Sequence, residues 1–126
     1  MKKIIMIVDD DPDIVGVTTH CLQYLYPSEF MVLSANNGDT CLKILKSVTP
    51  DIILLDIMIP GINGWEIYDK LKMNQNWRDI PIIFLTARDD KTAKNTGKLL
   101  GDGFIQKPFD IDELKKNIDK TLEKKQ

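Results

Sequence analysis

Apolar residues in this chain follow two rhythms. Short apolar runs cover Ile4 to Val8, Phe30 to Ala35, Asp51 to Leu55, Pro81 to Leu85 and Phe104 to Gln106. Runs of this kind mark strands buried on both faces. Between them, apolar residues recur at helical spacing: Ile14, Val17, Cys21 and Leu25; Cys41, Leu42, Leu45 and Val48; Trp65, Ile67, Tyr68 and Leu71; Ile111, Leu114, Ile118 and Leu122. These predict amphipathic helices. A fourth helix is expected over Lys91 to Leu100, where Gly97 weakens it by about 1 kcal/mol relative to alanine.

The polar residues punctuate this pattern. Asp11 can cap the first helix with Pro12 at its first position, and Pro27 ends it. Asn36-Asn37-Gly38 is a turn, with Asp39 expected to cap the second helix. Pro60-Gly61 and Asn63-Gly64 mark a loop before the third helix, and Gly101 to Gly103 turns the chain before the fifth strand. Asp110 caps the last helix, and Glu113 completes a capping-box spacing. The polar tail from Glu123 to Gln126 is expected to fray. Five strands alternating with five helices imply an α/β fold, a parallel sheet with helices on both faces. The 126 residues suit one domain, 1–126, with no repeat or linker.

Composition narrows the class. With 43% hydrophobic and 29% charged residues, neither disorder nor a membrane span is suggested. A net charge of -2 gives no reason to expect direct nucleic-acid binding. The run from Ile4 to Val8 is too short for a secretory core and is stopped by Asp9-Asp10-Asp11, so the cytoplasm is the expected location. Cys21 and Cys41 lack metal-ligand spacing and read as small buried hydrophobes in a reducing compartment. His20 has no histidine or cysteine partner. Trp65 falls close to the strand ends and packs on the third helix, while Trp77 reads as a distant loop anchor. Lys115, Lys116, Lys120, Lys124 and Lys125 alternate with Asp119 and Glu123, the pattern of a solvated face.

The chemistry gathers at the strand ends. The first strand ends in Asp9-Asp10, the third in Asp56, the fourth in Thr86 and the fifth in Lys107. In a parallel sheet these ends share one edge, where ligands bind. Three carboxylates, a hydroxyl and an ammonium are therefore expected together. Two carboxylate charges about 5 Å apart repel by about 3 kcal/mol at an effective dielectric near 20, and a hard divalent cation offsets this better than one lysine. Oxygen donors without histidine or cysteine favour magnesium over zinc or copper. A carboxylate beside such a cation, a lysine and a hydroxyl can accept a phosphoryl group. Neither GxxxxGK[ST] nor GxGxxG nor GxSxG is present, which removes the motif grounds for a P-loop, a dinucleotide site or a nucleophile elbow.

At these residues the chain resembles the receiver domains of two-component response regulators, the CheY-like domains, including the stand-alone chemotaxis type. The matching pieces are Ile7 to Asp11, Leu54 to Gly61, Leu85-Thr86-Ala87 and Lys107-Pro108-Phe109, in family order over the whole chain. The resemblance implies a flavodoxin-like doubly wound sheet with strand order 2-1-3-4-5. It implies Asp56 as phosphoacceptor for a phosphohistidine on a sensor histidine kinase or phosphotransfer protein, with the receiver catalysing its own phosphorylation and dephosphorylation. Asp10, Asp56 and the Met58 backbone carbonyl would hold Mg2+, with Asp9 helping directly or through water. Thr86 and Phe104 would form the switch, Lys107 would pair with the phosphoryl group, and the Lys107-Pro108 bond would be cis. Ala87 is small where the donor approaches. Met58 and Arg88 resemble positions that tune dephosphorylation, and a bulky apolar group and a long cation there imply a long-lived phosphoryl state.

The implied output is a downstream effector bound on the face of the fourth helix, fifth strand and last helix, by a monomer or a phosphorylation-dependent dimer. New charge-assisted hydrogen bonds, about 1.5–3 kcal/mol each, would supply most of the roughly 5.5 kcal/mol that turns a two-state switch over. The stretch from Thr86 to Phe104 is one residue short of the usual length, which leaves that face and its partner open. Two alternatives stand beside this reading: a receiver that binds without being phosphorylated, and an unrelated flavodoxin-like binding module.

Overall fold

In a computed structural model, residues 2–59, 61, 63–86 and 102–124 are described. Five strands, β1 (Lys3–Val8), β2 (Phe30–Ala35), β3 (Ile52–Asp56), β4 (Ile82–Thr86) and β5 (Gly103–Gln106), form one parallel sheet in the order β2-β1-β3-β4-β5. Four helices are described: α1 (Pro12–Leu25), α2 (Gly38–Leu45), α3 (Gly64–Lys72) and α4 (Ile111–Lys124). The last helix of the sequence expectation is α4. The helix expected over Lys91 to Leu100, with Ala87, Arg88, Gly97 and Pro60, lies outside the described residues. Among the described residues no helix is long and apolar enough to cross a membrane.

The two faces follow from strand alternation. Met6, Val8, Ile53, Leu55, Ile82 and Phe84 point to one face and pack with Cys41, Leu45, Ile67 and Leu71 of α2 and α3. Ile5, Ile7, Ile52, Leu54, Ile83, Leu85 and Ile105 point to the other and meet Leu22 of α1 with Leu114 and Ile118 of α4. Every residue of β3 is buried, as expected of the middle strand of a sheet covered on both sides. The doubly wound arrangement and the strand order expected from the sequence are both present.

Local signals hold, with corrections. Asp11 caps α1 by accepting from the Asp13 amide at 3.0 Å, with Pro12 at the first position. Asp110 caps α4 by accepting from the Glu113 amide at 2.7 Å. The cap of α2 is Asn37, which accepts from the Thr40 amide at 2.8 Å. Asp39, expected there, sits in the first turn, where its charge still favours the positive helix end. The core side of α1 is Val15, Thr18 and Leu22, whereas Val17 and Leu25 of the expected stripe are 64% and 49% exposed. Lys115 is not solvated: its side chain is 14% exposed, bridges Glu29 and Asp119, and lies over the Tyr26 ring.

Candidate functional site

Strand pairing builds the site. Val8 pairs with Leu55, Asp56 with Leu85, and Thr86 with Gln106. The residues that follow β1 and β5, and those that end β3 and β4, therefore share the C-terminal edge of the sheet. Asp9 continues the ladder, its amide donating to the Ala35 carbonyl at 3.1 Å. Its side chain turns into the edge, and the residue is 1% exposed. Asp56 is 5% exposed, and Asp10 is exposed at the rim.

Lys107 joins the two buried carboxylates. Its Nζ donates to Asp9 Oδ2 at 2.7 Å and to Asp56 Oδ2 at 3.1 Å. The other oxygen of each acid is held by a backbone amide, that of Asp11 on Asp9 at 3.0 Å and that of Met58 on Asp56 at 3.1 Å. These bonds fix the direction of both carboxylates, as buried charges require. The Lys107-Pro108 bond is cis, as expected.

Charge is in excess here. Burial pushes the Asp56 carboxyl up to about 6; Lys107 pulls it down and the Asp9 charge adds to the rise. Burial acts to lower the Lys107 ammonium, but its bonds to Asp9 and the charge of Asp56 outweigh this together and hold it above its ordinary value. Among the described residues, one ammonium, that of Lys107, stands beside the three carboxylates. Oxygens of Asp9, Asp10 and Asp56 lie within 4.8 Å of one another. An all-oxygen set with surplus negative charge fits a hard divalent cation such as magnesium.

The remaining expected residues are placed as follows. Met58 is 67% exposed, and its backbone amide donates to Asp56. Thr86 closes β4 on the same edge. Phe104, half-buried on β5, packs against the core on the α2–α3 face. Trp65 lies on Phe84 with ring centroids 4.7 Å apart. The sequence reading missed Gly64, which packs against the Asp56 peptide. Asn63-Gly64 registers in sequence as a turn, and only the fold shows what the glycine touches. A groove of about 630 Å³ lies beyond Lys107, between α1 and the segment Pro108 to Ile111. Its wall is mainly apolar, with Asp13, Thr18, Cys21 and Lys107 as its polar and thiol groups.

The response regulator receiver domain model matches residues 5–119. Protein PilH of Pseudomonas aeruginosa is 34% identical over 94% of this chain and 96% of its own length. The alkaline phosphatase synthesis transcriptional regulatory protein PhoP of Bacillus subtilis is 36% identical over 97% of this chain but 49% of its own length. The chain thus spans about half the length of several curated relatives it matches. Among solved structures, the chemotaxis response regulator CheY4 of Vibrio cholerae superposes with a TM-score of 0.84 at 25% identity, covering 96% of this chain and 99% of that one. With the acid cluster, the sheet order and these likenesses in agreement, the chain belongs to the response regulator receiver domains, the phosphoacceptor modules of two-component signalling.

Proposed function

We propose that Asp56 accepts a phosphoryl group from a phosphohistidine on a sensor histidine kinase or phosphotransfer protein, in a reaction that needs Mg2+ and that the domain itself catalyses. The observation that carries this is the meeting of Asp9, Asp10 and Asp56 within 4.8 Å, with Lys107 bonded to two of them. Residues from both ends and the middle of the chain converge there, on a buried carboxylate with little other reason to sit beside two more.

In the step, an Asp56 oxygen attacks phosphorus in line. The phosphorus–nitrogen bond breaks, and the imidazole leaves with the electron pair and takes up a proton. The product is an acyl phosphate. Asp10, Asp56 and the Met58 carbonyl would hold the cation, with Asp9 beside them; when bound, it neutralises charge on the transferring oxygens. Lys107, already at the Asp56 carboxylate, adds charge on the same side. The Met58 amide fixes which carboxylate oxygen faces outward. The Thr86 hydroxyl would donate to a phosphoryl oxygen of the product. Water later attacks phosphorus and releases Asp56 as carboxylate.

The output follows from the same edge. Drawing Thr86 and Lys107 toward the phosphoryl group shifts the ends of β4 and β5, and Phe104 on β5 can turn in response. The surface of β5 and α4, with the segment before β5, would then bind an effector, as a monomer or a phosphorylation-dependent dimer in the cytoplasm. Incubation with a small-molecule phosphodonor, with and without Mg2+, followed by intact mass measurement, tests the reading. One acid-labile phosphoryl group is expected, dependent on Mg2+ and absent in Asp56→Asn. No gain in a folded wild type that binds Mg2+ would support a domain that binds without being phosphorylated.

A further inference from the structure

Gly64 opens α3 against the end of β3. A Cβ built there would lie 2.6 Å from the Asp56 carbonyl oxygen and 2.6 Å from the Ile57 Cα. Both are backbone atoms, which cannot swing aside as the tip of a side chain can. The Gly64 amide donates to the Ile57 carbonyl at 2.9 Å, and the Ile57 amide donates to the Leu85 carbonyl at 3.1 Å. Asn63 caps the same helix by accepting from the Glu66 amide at 3.0 Å. The N-terminus of α3 is therefore seated flush on the peptide of the acceptor residue. Among the described glycines the left-handed conformation falls at Gly61, with φ 79°; what Gly64 supplies is space.

We propose that Gly64 is a positioning residue for the phosphorylation site. It lets α3 sit directly on the Asp56 peptide, and so fixes the Asp56 carboxylate and the Met58 amide that bonds it. The inference rests on the reading of Asp56 given above. A methyl group at Gly64 forces the contact open by about 0.8 Å to reach ordinary van der Waals distance. Either the Asp56 peptide or the whole of α3 must move. A shift of that size at a reacting group, or at the shell that orients ligands, costs about tenfold to a hundredfold.

The test compares wild type with Gly64→Ala, Ile67→Val and Gly16→Ala. Ile67 is fully buried on α3 in the core under that helix, so its variant loosens the same helix from the core side. A Cβ at Gly16 meets nothing within 4 Å. Mg2+ affinity is read by calorimetric titration of the folded proteins, phosphoryl gain by intact mass, and stability by thermal melting. In Gly64→Ala, Mg2+ binding and phosphoryl gain should both weaken by about tenfold or more, while the other two variants keep both, whatever their melting points. A folded Gly64→Ala that binds and gains phosphoryl as the wild type does overturns the role of Gly64 alone. A wild type that does neither overturns the reading of Asp56 with it. Amide exchange in the wild type supplies a second measurement that needs no variant. The Gly64 amide should be protected and slow further when Mg2+ is added; exchange unchanged by Mg2+ overturns the proposal.

Discussion

Asp10→Asn separates what the acid cluster costs from what it is for. Asp10 brings a third carboxylate within 4.8 Å of the other two, but Lys107 is bonded to Asp9 and Asp56. A charge pair at that distance repels by about 3.5 kcal/mol at an effective dielectric near 20 and by about 0.9 kcal/mol in bulk water. Asp10 is exposed, so the lower figure is the nearer one. Replacing its charge with an amide should stabilise the metal-free protein by about 1 kcal/mol, which raises Tm by about 3–5 °C for a domain of this size. Magnesium at ten times its dissociation constant stabilises the wild type by about 1.4 kcal/mol. The variant lacks one anionic ligand and gains less. The order of the two melting curves should therefore close up or reverse between EDTA and magnesium. Scanning calorimetry in both buffers reads this directly. A variant that melts below the wild type in EDTA would refute the repulsion argument. A variant that gains as much from magnesium as the wild type would remove Asp10 from the ligand set.

Three further outcomes are expected. Met58→Asn should shorten the phosphoryl lifetime, because an amide at the mouth of the site can orient the attacking water where an apolar side chain impedes it; decay of the intact mass signal checks this, and an unchanged lifetime contradicts it. A thiol reagent should label Cys21 and spare Cys41 until the protein unfolds, since Cys41 is fully buried and burial pushes its thiol up to about 12; two labelled thiols in the native state would contradict that packing. Burial acts to lower the Lys115 ammonium, but Asp119 and Glu29 together raise it. Lys115→Met should therefore cost about 0.5–1 kcal/mol, discounted because both acids are partly exposed. That difference from wild type should be full below about pH 10.4, the ordinary lysine value, and vanish as pH rises through the higher folded value. A gap that closes at neutral pH would rule out this assignment.

The sheet, and the meeting of Asp9, Asp10, Asp56 and Lys107 at its edge, were legible because both rest on short-range signals. Unbroken apolar runs can be satisfied only by strands covered on both sides, and the polar residues at the ends of those runs share an edge once the strands are parallel. The burial of Val15 and Leu22 instead of Val17 and Leu25 was not legible, because several phases of apolar residues fit the α1 pattern and the tilt of the helix decides among them. Asn37 and Asp39 are both good caps; the helix begins at Gly38, which leaves Asn37 extended with its side chain on the Thr40 amide. Lys115 looked like its solvated neighbours because its partners, Tyr26 and Glu29 from the turn after α1 and Phe30 at the start of β2, are distant in the chain. Gly64 was hidden for the same reason: its constraint is a distance to Asp56, and a distance leaves no mark on composition or period.

The position of Asp56 limits how the domain can respond to a new charge. β3 lies between β1 and β4, and all its residues are buried between two close-packed layers. Interiors packed to that density do not deform gradually, so a phosphoryl group on Asp56 cannot be accommodated by moving β3. The partners that can move lie toward the outside. Lys107 follows β5, an edge strand, and Phe104 on that strand is only half-buried. On the other side, α3 is seated on the Asp56 peptide through Gly64 and offers no slack. In the proposed phosphorylated state, the added charge would be held on the α3 side and would act toward the β5 side. That asymmetry gives the proposed switch a direction: toward the edge of the sheet where Lys107 and Phe104 stand, and away from α3.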